Sequence, residues 1–209
     1  MYVDGWNFYH GIDKPDLHPL GFCDFRRLGK RLLGAGTTVD KVTYFTSKDH
    51  NPYRKEKQEF WLDALRSVGI EVADPGFFQY SEQKHSHEEK TTDVCLALRL
   101  AEDARTGSHD TVLLISADAD FVPALELAKK HKRDLIVRVA FPPGHKCRRL
   151  EAIDPFTLKI DKADLEDSLF DGDGRTERGV RLAGRSRQFG WAFRRGDSIV
   201  LSRIGGATD

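Results

Sequence analysis

The run Thr111–Ser116 (TVLLIS) is apolar almost throughout, and two aspartates, Asp118 and Asp120, follow it at once. A continuous apolar run of this length marks a strand covered on both faces. Such strands belong to parallel sheets with helices above and below. Shorter runs of the same character at Tyr2–Val3, Lys41–Thr46, Ile70–Ala73 and Leu135–Val139 alternate with helical patterns up to about residue 160. This order predicts an α/β fold on a mostly parallel central sheet.

The helical segments are legible from spacing and caps. Asp24 caps a helix whose apolar positions Phe25, Leu28 and Leu32 recur at three and four residues. Residues 54–68 place Trp61, Leu65 and Val68 on one face, with Arg54, Lys55 and Lys57 in the solvated first turns. Residues 92–105 carry Val94, Ala97, Leu98 and Ala101, a stripe expected to face the core. A further helix follows Asp120, with Pro123 in its first turn, where a missing N–H is tolerated. Ser81–Lys90 (SEQKHSHEEK) is polar and reads as an exposed loop.

The composition shifts near the C-terminus. Residues 171–209 hold eight arginines, no lysine, five acids and eight of the 18 glycines. The chain is therefore expected to divide into a domain over residues 1–168 and an Arg/Gly-rich tail over 169–209. That tail is either mobile or a small hairpin pairing Trp191–Phe193 with Ser198–Leu201.

Charge and cysteine content exclude several functions. The 33 basic residues balance 33 acidic ones, so the chain cannot hold a polyanion by bulk basicity and must use local patches. No run approaches the ~18 apolar residues of a membrane span. The first residues show no basic stretch leading into an apolar one, which argues against a secretory signal. Cys23, Cys95 and Cys147 are far apart and form no CxxC pair. They point to a reducing, cytoplasmic setting.

The aspartates carry the chemistry. Asp4 closes the first strand, Asp93 opens the third helix, and Asp118 and Asp120 follow the buried fourth strand. In a parallel sheet, groups beyond the carboxyl ends of the strands converge on one crevice at the switch point of strand order. Several carboxylates repel one another at such range, and a hard divalent cation relieves that repulsion. Mg²⁺ or Mn²⁺ takes oxygen ligands, which suits Asp4, Asp93, Asp118 and Asp120 better than the His/Cys sets of zinc. Such a site activates water and stabilises charge on a phosphodiester. Asn7 offers an amide that orients a carboxylate or a water. Taken singly, Asp120 serves equally as a helix cap and Asp93 as a partner of a helix dipole.

Three blocks in this order resemble the signatures of NYN domains, which are PIN-like nucleases. They are Tyr2-Val3-Asp4-Gly5-Trp6-Asn7-Phe8-Tyr9, Lys90-Thr91-Thr92-Asp93-Val94-Cys95-Leu96-Ala97-Leu98 and Ser116-Ala117-Asp118-Ala119-Asp120-Phe121-Val122-Pro123. The nearest subgroup is the LabA/DUF88-like proteins, and the resemblance covers roughly residues 1–165. It implies a Rossmann-like three-layer PIN fold and a Mg²⁺- or Mn²⁺-dependent endoribonuclease that leaves a 5′-phosphate and a 3′-hydroxyl. It also implies that Asp4, Asp93, Asp118 and Asp120 bind the metal and do the catalysis, with Asn7 and Ser116 in support. Lys90 matches the family lysine before the central acid; it meets a substrate phosphate or pairs with Glu88 or Asp93. Two departures stand out. Ala117 replaces a usual glycine, and Arg99 occupies a position where many relatives carry another aspartate. Arg99 either pairs with Asp103 or weakens a second metal position.

Phosphate contacts are expected from Arg54, Lys90, Lys146, Arg148 and Arg149, with Lys55 and Lys57 beside Arg54. Lys129–Arg133 fits helix C-terminal cations as well as a phosphate site. Thr46, Ser47 and Lys48 follow the second strand and are candidates for the crevice rim. Trp6, Phe8 and Tyr9 are candidates for base stacking, although core packing is expected of at least two of them. His85 and His87 lack partners for a zinc site, and Asp171–Gly174 lacks the glutamate of a calcium loop. The expected partner is RNA in single-stranded form, with no membrane, and a homo-oligomer is allowed. The competing reading is a catalytically weak PIN-like module that binds RNA or protein.

Overall fold

A computed structural model of the protein describes residues 1–34, 36–48, 52–81, 86–107, 109–170, 191–195 and 198–202. Its strands are β1 (Tyr2–Asp4), β2 (Thr43–Ser47), β3 (Glu71–Ser81), β4 (Ser86–Lys90), β5 (Thr111–Ile115), β6 (Ile136–Phe141), β7 (Leu158–Lys159), β8 (Trp191–Arg195) and β9 (Ser198–Ser202). Its α-helices are α1 (Gly5–Ile12), α2 (Phe25–Leu33), α3 (Pro52–Ser67), α4 (Thr92–Thr106), α5 (Val122–His131), α6 (Arg148–Ile153) and α7 (Lys162–Asp167).

The main sheet has the order β4-β3-β2-β1-β5-β6-β7. All neighbours pair parallel except β4, which lies antiparallel on β3. The chain starts at the centre in β1, builds β2 and β3 to one side, then crosses through α4 to β5 on the other. That reversal puts the switch point between β1 and β5.

Alternation along the strands divides the core into two layers. Val3, Tyr44, Leu113 and Ile115 pack with Phe8, Phe25, Leu28, Leu62, Leu65 and Leu165 on one face. Tyr2, Phe45, Val112 and Leu114 pack with Leu96, Leu100, Phe121, Leu125 and Leu150 on the other. β5 is apolar from Val112 to Ile115 because both of its faces are covered. The two helix layers and the sheet between them form the Rossmann-like, three-layer arrangement that the sequence predicts. Leu169 and Phe170 still rest on this core, through the Cys23–Leu169 bridge and the Phe170–Trp61 ring contact. β8 and β9 pair antiparallel as a separate two-stranded ladder. Among the described residues, no helix is long and apolar enough to cross a membrane.

Two expectations are corrected here. Ser81–Lys90 is not a loop throughout: Phe77–Ser81 pairs with Ser86–Lys90 in an antiparallel ladder. The backbone hydrogen bonds of an edge strand do not require an apolar face, and charged side chains suit an exposed edge. In α4, the stripe expected to be buried is split: Val94 and Leu98 face outward, 61% and 66% exposed, while Ala97 and Ala101 are half-buried and Ala97 packs against the core. The helix buries Thr92, Leu96, Leu100 and Ala104. Both rows satisfy helical spacing, and the position of the sheet selects between them.

The core also sets an alkaline limit on stability. Burial raises Cys23 above its ordinary 9.0, with the Asp24 charge adding to the effect. Burial likewise raises Tyr44 above 10.0, and raises Tyr2 with help from the hydrogen bond it donates to Asp103. Above pH 9 the unfolded chain loses these protons while the folded chain keeps them, so stability falls as pH rises. Urea midpoints measured between pH 7 and pH 11 are expected to decline from about pH 9.

Candidate functional site

The switch point is where β1 and β5 end side by side. Val3 is level with Ile115, so the following residues, Asp4 and Ser116, meet. Ser116 Oγ donates to Asp4 Oδ2 at 2.8 Å and accepts from the Asp118 N–H at 3.0 Å. Asp4 Oδ1 accepts from the Asn7 N–H at 3.1 Å and caps α1. Asn7 Oδ1 in turn accepts from the Ala117 N–H at 3.0 Å. Asp118 Oδ1 caps the 3-10 turn Ala119–Phe121 by accepting from the Asp120 N–H at 2.9 Å. One continuous hydrogen-bond network therefore joins Asp4, Asn7, Ser116 and Asp118, with Asp120 at its edge. Asp4 and Ser116 are buried, Asn7 and Asp118 half-buried, and Asp120 exposed. Neither Asp118 nor Asp120 pairs with a cation among the described residues.

Local backbone requirements explain the neighbouring residues. A Cβ on Gly5 would lie 2.6 Å from the Phe45 carbonyl oxygen and 2.7 Å from the Tyr44 ring. Only glycine lets α1 start this close to β2, immediately after Asp4. Ala117 replaces the usual glycine without strain, because Thr91 is the only described non-glycine residue with positive φ. Thr91 itself, at φ 77°, sits one residue before α4. It holds a β-branched side chain in the left-handed region two residues before Asp93, and nothing in its residue type signals this. Asp93 lies half-buried in the first turn of α4, the helix that packs on β1, β2 and the 3-10 turn.

The cationic candidates separate by position. Lys146, Arg148 and Arg149 are exposed beyond the carboxyl end of β6, at the same end of the sheet as Asp4. None of them forms an ion pair with a described residue. Lys129 donates to the Ile153 carbonyl at 3.3 Å and Lys132 to the His109 carbonyl, so both serve packing. Lys90 ends β4 opposite Phe77, and Arg54 lies in the first turn of α3; both side chains fall outside the described residues, as do those of His85 and His87. Asp171–Gly174 also lies outside them. At the rim, Gln58 Nε2 donates to the Ser47 carbonyl at 2.7 Å and to Thr46 Oγ1 at 3.2 Å, while Lys48 pairs with Glu59. These groups are committed to the scaffold.

Arg99 is resolved in favour of the ion pair. It holds Asp103 at 3.0 Å and reaches Glu71 at the first residue of β3. Glu71 and Tyr2 mark the amino ends of β3 and β1, opposite the Asp4 end. Of the three aromatics, only Phe8 is fully in the core. Trp6 is half-buried and Tyr9 exposed, which corrects the expectation that at least two pack inside.

The donor chemistry can be tested against a metal. The acids here are all-oxygen donors with no His or Cys among them, which suits Mg²⁺ or Mn²⁺ and not zinc. Among the described residues, no three His, Cys, Asp or Glu side chains come close enough to hold an ion by themselves. Mg²⁺ needs less than such a cage: one or two carboxylates, with water and substrate phosphate oxygens completing its shell. Asp4 and Asp118 are the acids this network brings to one place, Ser116 Oγ holding the Asp4 carboxylate on one side and the Asp118 backbone N–H on the other.

The NYN domain family model matches residues 1–158. A crystal structure of a protein of unknown function from Vibrio parahaemolyticus RIMD 2210633 superposes with a TM-score of 0.56 at 21% sequence identity, covering 77% of this chain and 91% of that chain. At that identity the likeness establishes fold alone. None of the curated proteins matches this chain.

Proposed function

The chain belongs to the NYN domain family, within the PIN-like nuclease superfamily, and on that premise we propose that it is a metal-dependent endoribonuclease. Its three motif blocks support a LabA/DUF88-like subgroup within that family. The observation that carries the reading is the network at the switch point: the Asp4 carboxylate at the end of β1 and the backbone N–H of Asp118, just after β5, meet on one buried hydroxyl, that of Ser116. Asp4 and Asp118, with Asp93 and Asp120, would hold Mg²⁺ or Mn²⁺. When bound, the ion supplies Lewis-acid stabilisation of the charge that grows on the phosphodiester oxygens and provides a nucleophile near neutral pH.

The chain's own groups have separate tasks. Ser116 holds the Asp4 carboxylate in one orientation and takes up the Asp118 N–H, which fixes the Asp118 backbone beside Asp4. Asn7 ties the loop after β5 to α1. Lys146, Arg148 and Arg149, with Lys90 and Arg54, bind the phosphates of single-stranded RNA. Residues 1–168 carry this activity, and the sequence from 169 to 209 is an Arg/Gly-rich tail whose first two residues, Leu169 and Phe170, rest on the domain core. Three free cysteines favour a cytoplasmic setting.

The second reading, a catalytically weak PIN-like module binding RNA or protein, draws on the lack of a three-carboxylate cluster among the described residues. Arg99, at the opposite end of the sheet, lends it no support. Purified protein is expected to cut a labelled single-stranded RNA with Mn²⁺ or Mg²⁺ and to stop when EDTA is added. Salt-dependent binding without turnover under several divalent ions would establish the second reading instead.

A further inference from the structure

Helix α1 buries Gly5, Phe8, Gly11 and Ile12. Its other face carries Trp6, Tyr9 and His10 at i, i+3 and i+4, where a solvated helix face ordinarily carries charge. Tyr9 is 40% exposed and His10 is exposed. Their rings form one cluster with that of His18, from the 3-10 turn His18–Gly21. Tyr9 stands edge-on to Trp6 at 5.9 Å, to His10 at 5.8 Å and to His18 at 6.0 Å. Trp6 and His10 lie 6.0 Å apart at 33°. The cluster is anchored, because Trp6 Nε1 donates to the buried Ser47 Oγ at 2.7 Å.

The place of this cluster is informative. The same helix begins at Asp4, so Tyr9 lies five residues, or roughly 7.5 Å, along the axis from the site. Beyond the cluster comes exposed Lys14. A Cβ on Gly144 would lie 3.3 Å from Lys14 Nζ, so that ammonium stands against the turn leading to Lys146. The turn fits closely because Gly11 has no side chain: a Cβ there would meet Pro142 at 2.6 Å. Aromatic faces followed by cations, in line with a carboxylate site, are the two elements that single-strand binders combine.

We infer that the Trp6–Tyr9–His10–His18 cluster on α1 is a base-stacking platform that holds unpaired nucleotides of an RNA strand beside the acidic site, with Lys14 and Lys146 on the phosphates. This deepens the nuclease reading and rests on it for the direction of the strand, but binding is measurable without cleavage.

Fluorescence anisotropy in EDTA, with a labelled single-stranded oligoribonucleotide, tests it. Tyr9→Ala/His10→Ala is expected to weaken binding about 5- to 100-fold, the loss that removal of a stacking ring produces. Tyr9→Phe keeps its π-face and is expected to bind within about twofold of the native chain. A wild-type control needs no variant: an abasic oligomer of equal length and charge is expected to bind at least about fivefold more weakly than the base-bearing one. Equal affinity for the two oligomers, or unchanged affinity in the folded double variant, would overturn the platform. Absence of cleavage with intact, base-dependent binding would overturn the nuclease reading and leave the platform standing.

Discussion

Asp118→Asn is expected to lower Mn²⁺-supported RNA cleavage by more than about 100-fold, beyond the ~10–100-fold cost usual for groups that only orient a metal ligand. The protein should stay folded. The new amide oxygen can still accept the Asp120 N–H, and the half-buried side chain leaves no described cation unpaired. Loss of charge at constant shape is therefore what the measurement reads. The corresponding Asp4→Asn change is less clean. Asp4 is only 4% exposed, and its oxygens receive both the Ser116 hydroxyl and the Asn7 N–H. An amide there must turn an N–H toward one of those donors, and Ser116 Oγ already accepts from Asp118. Asp4→Asn should abolish cleavage and also reduce stability. Cleavage kinetics with thermal melts on both variants check this, and full activity of Asp118→Asn would remove that residue from the site.

Asp154→Ala is expected to cost about 3 kcal/mol of stability, more than a typical surface change. Asp154 is 4% exposed and pins β6 from the side. Its Oδ2 accepts the Val139 N–H at 2.9 Å, its Oδ1 accepts the Phe156 N–H at 3.0 Å, and Arg138 Nε lies 3.5 Å away. Alanine leaves a buried strand N–H without an acceptor and a guanidinium without its counter-charge, and those losses, not the pair's net worth, set the magnitude. The urea midpoint should fall while the slope stays constant. Asp154→Asn, which retains one carbonyl acceptor, should recover part of the loss.

Much of this architecture is legible in short stretches of sequence. Asp24 caps α2 by accepting the Arg26 N–H at 2.8 Å, as an aspartate before an amphipathic run should. Pro123 falls in the first turn of α5. The apolar run of β5 requires cover on both faces, and the two core layers supply it. Other elements had no local signature. β4 is polar because an edge strand gains its pairing through backbone groups. α4 carries two apolar rows, and only contact with β1 and β2 decides which is buried. Gly5 and Gly11 look ordinary until the strand and turn against them are known. Trp6 was recognisable as a large aromatic, but its anchor on Ser47 joins residues 41 apart.

By itself, the sequence determined that acids follow the ends of apolar strands and that these strands alternate with helices, because both patterns lie within a few neighbouring residues. Only the tertiary structure decided that Asp4 and Ser116, 112 positions apart, share a hydrogen bond, and that Arg99 lies at the opposite end of the sheet from them. Local periodicity records how each segment meets a core. Which segments meet one another is set by the order and register of strands in the sheet.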